Sequence, residues 1–200
     1  GVAQPLNIEN VLWAGWDPAA TPPRIAYTTA RSTTLPPGWE ASNDLWLLEL
    51  TLDANQPAPV RLVESYPAAY AWWGGVYSWS NDGRLAYAFA DEVGVLTMPT
   101  SAEAAALDPT TAAPARVVLH EFPEFDTGGD WAWLPALSWS ADGRLLAFTD
   151  HAIVTGEARE RFDLRLADLA AGDQATLVDD IGIWAAAQWS PAAALPEQRL

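Results

Sequence analysis

Residues 77–89 read YSWSNDGRLAYAF, and residues 137–148 read LSWSADGRLLAF. Each stretch sets Asp-Gly between two short apolar runs, which is typical of a tight β-hairpin turn whose glycine takes a positive φ. A hairpin phrase repeated at long spacing indicates an array of similar sheets. The fold therefore depends on how many such units the chain contains.

Two looser copies of the phrase occur, Trp16-Asp17-Pro18 and Trp189-Ser190-Pro191. Together with Trp79 and Trp139 they give four anchors, spaced 63, 60 and 50 residues apart in chain order. Three further runs with the composition of short strands follow each of the first three anchors. The predicted second strands are 25–27, 85–87 and 146–148, the third strands 44–50, 93–98 and 163–169, and the fourth strands 60–64, 116–121 and 175–179.

Units of four antiparallel strands at this period predict an all-β fold, a β-propeller in which each unit is one blade. We expect a single domain or fragment over residues 1–200, with blades at 12–64, 75–121 and 136–179 and an incomplete fourth blade at 186–200. A β-sandwich would supply the strands, but it gives no reason for a recurring Trp-Ser-x-Asp-Gly phrase.

Three blades and the start of a fourth fall short of the closed ring of about four to eight blades that propellers form. The sequence leaves three explanations open: a fragment of a longer propeller, self-association with a second copy, or an irregular return of the C-terminal segment. Unpaired strand edges and bare blade faces are aggregation liabilities. We favour the fragment.

The phrase Trp-Ser-(Pro)-Asp-Gly-Arg, followed by an apolar strand, resembles the Pro-Asp variety of WD-like repeat. This repeat is known from TolB-type periplasmic propellers and from the propeller domains of prolyl-oligopeptidase-like enzymes. The match is good at 77–89 and 137–148, partial at 16–27, and cut short after Pro191, where alanines replace Asp-Gly. The resemblance covers most of residues 12–191. It implies the propeller fold, and since TolB-like proteins bind a partner lipoprotein, it also implies a binding role.

The residues of the phrase have structural roles in such a scaffold. A Trp at the end of the first strand covers the neighbouring blade, the turn Asp accepts backbone N–H groups, and the Gly takes the left-handed conformation. Arg84 and Arg144 begin the second strand, where an aromatic ring or a turn carboxylate is the expected partner.

Charge excludes two classes of partner. The chain has 26 acidic against 10 basic residues and a net charge of -16, which repels nucleic acid and anionic membrane surfaces. No apolar run is long enough for a membrane span, so no membrane insertion is expected. With no cysteine there are neither disulfides nor thiolate metal sites. We expect a periplasmic or extracellular bacterial protein, with the cytoplasm as the alternative.

No catalytic constellation, cofactor site or metal site is predicted. The chain has no Cys nucleophile and no Gly-x-Ser-x-Gly elbow. Its two histidines are His120, expected in an outer strand, and His151, expected at the head of a loop and thus the better ligand candidate. The turn 126–130 has carboxylates that suit calcium, but an ordinary polar turn is the expectation. The predicted inner strands VYSWS, ALSWS and AAQWS carry no carboxylate, which argues against a glycosidase.

Aromatic residues precede each predicted inner strand, in the segments that join one blade to the next. In a propeller these segments surround one mouth of the central channel. Indoles with carboxylates nearby suit stacking on sugar rings or gripping a peptide, although they also suit wedging between blades. The candidate ligand-binding residues are Trp72, Trp73, Asp130, Trp131, Trp133, Trp184 and His151.

The predicted function is a non-catalytic binding or scaffold module that presents this aromatic-rimmed face to a protein, peptide or glycan. The alternative is the propeller gating domain of a prolyl-oligopeptidase-like serine hydrolase whose catalytic domain lies outside this chain.

Overall fold

The computed structural model describes residues 5–30, 43–51, 58–63, 76–100, 103, 116–129, 131–156 and 159–190. Within these ranges, twelve strands form three four-stranded antiparallel sheets. In each sheet the strands lie side by side in chain order. This confirms the predicted all-β class and the three successive units of four antiparallel strands.

The first sheet consists of β1 (Val11–Trp16), β2 (Arg24–Ala30), β3 (Asn43–Glu49) and β4 (Val60–Val63). The second consists of β5 (Val76–Trp79), β6 (Leu85–Ala88), β7 (Glu92–Leu96) and β8 (Arg116–Glu121). The third consists of β9 (Leu137–Trp139), β10 (Leu145–Ala152), β11 (Arg161–Asp168) and β12 (Asp173–Ile181).

Strand β10 is longer than the sequence predicts, because its pairing with β11 continues from Leu145↔Asp168 to Ala152↔Arg161. The pairing His151↔Phe162 lies inside this ladder. The prediction that His151 heads a loop is therefore wrong, because the residue lies inside β10 and pairs with Phe162 of β11, although the pairing of β10 with β9 ends at Phe148.

The repeated phrase forms the turn between the first two strands of its sheet, as predicted. Gly83 and Gly143 take positive φ values of 85° and 71°. In the second sheet the Ser80 hydroxyl donates to the Asp82 carboxylate at 2.5 Å and accepts the Arg84 backbone N–H at 2.9 Å. In the third sheet the Ser140 hydroxyl donates to the Asp142 carboxylate in the same way, at 2.6 Å. The serine thus satisfies the backbone at the point where the chain reverses.

One hydrogen bond recurs between successive units. The indole N–H of each anchor Trp donates to a backbone carbonyl of the preceding unit. The accepting residue is the one directly before that unit's own anchor Trp. The three bonds are Trp79 to Gly15 at 3.0 Å, Trp139 to Ser78 at 2.8 Å and Trp189 to Ser138 at 3.0 Å. The constant offset means that the units meet in one register, and that the Trp189 segment lies against β9 as β9 lies against β5.

The hydrophobic core has two parts, one on each side of the second sheet. The first part joins the first and second sheets through residues such as Leu45, Leu62 and Tyr87. The second part joins the second and third sheets through residues such as Val93 and Phe148. The second sheet is consequently covered on both faces, and its strands β6 and β7 are wholly buried.

Candidate functional site

Two connecting segments lie against each other: residues 122–129 and 131–136 before β9, and residues 182–190 after β12. The rings of Trp131 and Trp184 stack with their centroids 5.7 Å apart and their planes 20° apart. Next to them, the Trp133 indole N–H donates to the Ile183 carbonyl oxygen at 2.9 Å. The structure therefore brings together three of the predicted ligand-binding residues.

The three indoles differ in how much of each side chain is exposed to solvent. The Trp184 side chain is 66% exposed, and Trp131 is half-buried beneath it. Trp133 is only 1% exposed and belongs to the second part of the core. Only the stacked pair, which we call the aromatic platform (Trp131 and Trp184), has ring surface open to a ligand.

An aromatic layer packs around Trp133, two residues after the platform residue Trp131 in the chain. The Trp133 ring lies 4.8 Å from that of Phe162, and Phe162 lies 5.2 Å from Phe125. Phe125 also meets the ring of His151 edge to face at 5.3 Å. These contacts bury the Trp133 side chain in the second part of the core.

His151 is part of this buried layer and not of the open surface. Its side chain is 3% exposed. Nδ1 lies 2.9 Å from the Pro123 carbonyl oxygen, and Nε2 lies 2.5 Å from Glu160 Oε2. Because a carbonyl oxygen only accepts, Nδ1 carries the proton of that bond. His151 thus joins the segment before β9 to the loop between β10 and β11, and it has no surface open to a ligand.

Trp131 is held in place by a compact turn. The Thr127 hydroxyl donates to the Trp131 carbonyl oxygen at 2.7 Å, and the Asp126 carboxylate accepts the Gly128 N–H at 2.8 Å. A Cβ added to Gly129 would lie 3.1 Å from Trp131 Cδ1, so the glycine allows the ring to fold back over the turn. Asp126, considered above as a calcium ligand, serves the turn itself. Among the described residues no group of three or more His, Asp or Glu side chains is arranged to hold a metal ion.

Two arginine–aspartate pairs lie where the start of β11 meets the end of β12, the strand that precedes Trp184 in the chain. Arg159 holds Asp180 through two bonds of 2.8 and 2.7 Å, and Arg161 holds Asp163 through bonds of 2.9 and 3.0 Å. The Arg159 hydrogen bond lowers the pKa of Asp180, and the Arg161 hydrogen bond lowers the pKa of Asp163. The Asp180 N–H also donates to Asp163, which ties the two pairs together. Both carboxylates are therefore ionised and neutralised locally.

Sequence reasoning did not identify these arginines. Their signal is the alternation Arg159-x-Arg161-x-Asp163, since side chains two residues apart point to the same face of a strand. Three predicted site residues, Trp72, Trp73 and Asp130, lie outside the described residues.

The site thus offers an exposed indole, Trp184, stacked on a half-buried one, Trp131. Both histidines of the chain make hydrogen bonds within the fold. His120 bonds to Asp150, and His151 bonds to the Pro123 carbonyl and to Glu160. Within the described ranges, no helix is long and apolar enough to cross a membrane. Comparison with protein-family models and with curated proteins finds no match for this chain.

Proposed function

We propose that this protein is a non-catalytic binding or scaffold module with a propeller arrangement, whose three sheets are successive blades about a common axis. Two observations support the arrangement. The first strands β1, β5 and β9 are neighbours in space, as they would be around an axis. The Trp-to-carbonyl bond also couples each unit to the one before it with the same offset.

The observation that carries the binding role is the stacked, exposed pair Trp131–Trp184. Single exposed apolar side chains are normal, but two indoles stacked on each other form a contiguous apolar surface, and contiguous exposed apolar surface marks interaction sites. Stacking on Trp131 restricts the Trp184 ring, so a ligand that stacks on it loses less entropy on binding. The segments that carry the pair are the blade-to-blade connections, which surround one mouth of a propeller.

The chemistry of the partner follows from the surroundings of the platform. The net charge of -16 opposes polyanions, and the described carboxylates Asp163 and Asp180 are paired with arginines. A neutral ligand with flat apolar faces, such as a pyranose ring or a proline-rich peptide, suits an indole surface of this kind. The resemblance to TolB-type propellers favours a protein or peptide partner in an exported bacterial setting.

The test uses the indole N–H signals of the 12 tryptophans in a two-dimensional NMR spectrum. Neutral oligosaccharides and proline-rich peptides are titrated into the wild type, into Trp184→Ala and into Trp131→Ala. We expect saturable shifts at the Trp131 and Trp184 signals, and a loss of affinity of about tenfold in either variant, because one stacked ring contributes about 1 kcal/mol beyond its buried area.

Trp16→Ala is the matched control, because Trp16 is 58% exposed but lies on the first sheet, away from the platform. It should bind like the wild type. Undiminished binding by Trp184→Ala, or shifts confined to indoles outside the platform, would contradict the proposal.

A further inference from the structure

His151 is a buried ring with a hydrogen-bond acceptor at each of its two nitrogens. Nδ1 lies 2.9 Å from the Pro123 carbonyl oxygen, and Nε2 lies 2.5 Å from Glu160 Oε2. The carbonyl accepts the Nδ1 proton, because it has none of its own to give. A second proton must then lie between Nε2 and the carboxyl group, since two lone pairs repel each other at this distance.

The exposure of Glu160 decides which partner carries the second proton. Its side chain is 57% exposed, so water solvates the ionised carboxylate. A free glutamate carboxyl loses its proton at about pH 4.3 and a free imidazole at about pH 6.5, which makes the ring the stronger base. The second proton therefore belongs on the ring, which becomes an imidazolium.

Burial opposes a charge on the ring, but the surroundings of His151 offset this cost. The carboxylate of Glu160 supplies the opposite charge. The rings of Phe125 and Phe162 lie 5.3 and 5.4 Å from the His151 ring, close enough for cation–π contact.

The other charged side chains on the elements around His151 are engaged elsewhere or lie at the surface. In the described chain they are Asp150 with His120, Arg161 with Asp163, Arg159 with Asp180, Asp126 within its turn, and Glu124, which is exposed. Among the described residues, Glu160 is thus the charged group that is hydrogen-bonded to the ring.

We propose that His151 is an imidazolium at neutral pH and forms a pH-sensitive link between the segment before β9 and the residue that precedes β11. While the ring is charged, its two N–H groups donate to Pro123 and to Glu160. When rising pH removes the Nε2 proton, a lone pair faces the carboxylate, and Glu160 turns towards solvent. The link is present at low and neutral pH and is lost in alkali. This proposal rests on the contacts of His151 and is independent of the aromatic platform.

Proton–nitrogen correlation NMR of protein with isotope-labelled histidine reads the state of the ring directly. The chain has two histidines, and His120→Phe identifies which ring signals belong to His151. At neutral pH we expect both nitrogens of His151 to carry protons. As the pH rises, the signals should become those of a neutral ring with its proton on Nδ1. The backbone amide signal of Glu160 should shift with the same midpoint.

Glu160→Gln tests the partner of the ring. The new amide can donate an N–H to Nε2 and therefore favours the neutral ring. The midpoint of the His151 titration should move at least about one pH unit lower, which is a tenfold loss of proton affinity. Glu124→Gln is the matched control, because it removes the same charge from an exposed position in the segment before β9, and its midpoint should stay close to that of the wild type.

Two outcomes would overturn the proposal. One is a neutral His151 ring in the wild type at neutral pH, and the other is an equal midpoint in the wild type and in Glu160→Gln. The first of these needs no variant, so the test does not depend on how well Glu160→Gln folds.

Discussion

The indole N–H of Trp139 donates to the backbone carbonyl oxygen of Ser78 at 2.8 Å, and this bond joins the third sheet to the second. The guanidinium of Arg84 lies over the same indole, 5.2 Å from its centroid, and donates to the Gly143 carbonyl at 2.6 Å. One tryptophan therefore contributes a hydrogen bond, apolar contact and a cation–π contact to a single junction between sheets.

Truncation of this residue should separate these contributions. We expect Trp139→Phe to lower the free energy of unfolding by about 1 kcal/mol, the value of one hydrogen bond, because the ring contact is retained. Trp139→Ala should cost about 3 kcal/mol, since it removes the ring as well. Urea denaturation followed by far-UV circular dichroism measures both. The control is Trp16→Ala at low protein concentration, and a larger loss in this control than in Trp139→Ala would contradict the assignment.

Gly94 is the position where a methyl group should be least tolerated. A Cβ there would lie 2.5 Å from the Val117 carbonyl oxygen and 2.5 Å from the Tyr87 hydroxyl. The Tyr87 ring is fully buried and its hydroxyl donates to Glu92 at 2.9 Å, so neither neighbour has room to withdraw. Gly94→Ala should destabilise the protein by about 2 to 3 kcal/mol through overpacking. Gly182→Ala, where a Cβ meets nothing within 4 Å, should change stability by less than about 0.5 kcal/mol.

The Arg144–Asp168 pair should make part of the stability depend on pH. Hydrogen bonds from Arg144 and from the Ala171 backbone lower the pKa of Asp168 from 3.8 to about 2. A carboxylate with a depressed folded-state pKa stabilises the fold above its unfolded pKa, and this contribution is lost as the pH falls from about 4 to about 2. Asp168→Asn should therefore show a shallower loss of stability than the wild type in that window.

Urea midpoints measured between pH 5 and pH 2 provide the comparison. Because the Arg144 side chain is 59% exposed, added salt should reduce the difference between wild type and Asp168→Asn. Arg144→Gln removes the donor of the strongest of these bonds and should give the same shallower curve as Asp168→Asn. Parallel curves for wild type and Asp168→Asn would show that the pair has no part in the acid transition.

A buried ionic group links the second and third sheets at their outer side. Asp150 accepts from His120 Nε2 at 2.8 Å, and its Oδ2 lies 3.6 Å from Arg165. Asp150→Ala should cost about 3 kcal/mol, because it leaves a cation without its buried counter-charge. His120→Phe keeps the ring contacts of 6.0 Å with Phe122 and 5.7 Å with Phe148.

The expected cost of His120→Phe is about 1 kcal/mol, the value of the lost hydrogen bond. Thermal unfolding at neutral pH ranks the two variants. If His120→Phe lowers the melting temperature more than Asp150→Ala does, the loss of the Asp150 counter-charge is not the larger cost, and the prediction is contradicted.

Much of the fold could be predicted from the repeated phrase because its information is local. Asp-Gly requires a turn with positive φ, and short apolar runs on either side require strands, so the hairpins at Gly83 and Gly143 follow from neighbouring residues alone. The same local information fails at His151, because the length of β10 is decided by its pairing with β11 and not by its own composition.

The candidate site was harder to predict for a related reason. Trp131 and Trp133 are two residues apart in a segment with no regular pattern, yet one belongs to the platform and the other to the core. Their difference is set by Ile183 and Phe162, which are distant in sequence. Likewise Arg84 and Arg144 occupy identical places in the phrase, but Arg84 binds the Asp82 of its own turn while Arg144 reaches Asp168.

The acceptors of the three Trp bonds are peptide oxygens, and the residues that supply them are Gly15, Ser78 and Ser138. A main-chain oxygen is present whatever side chain a codon specifies, so a change of the accepting residue keeps the acceptor atom. At Gly15 the change is constrained all the same, because a Cβ there would lie 3.0 Å from Trp79 Cδ1. A gene that lengthens by duplicating such a unit obtains a compatible neighbour at once, and what later divergence must keep is the indole and a small accepting residue.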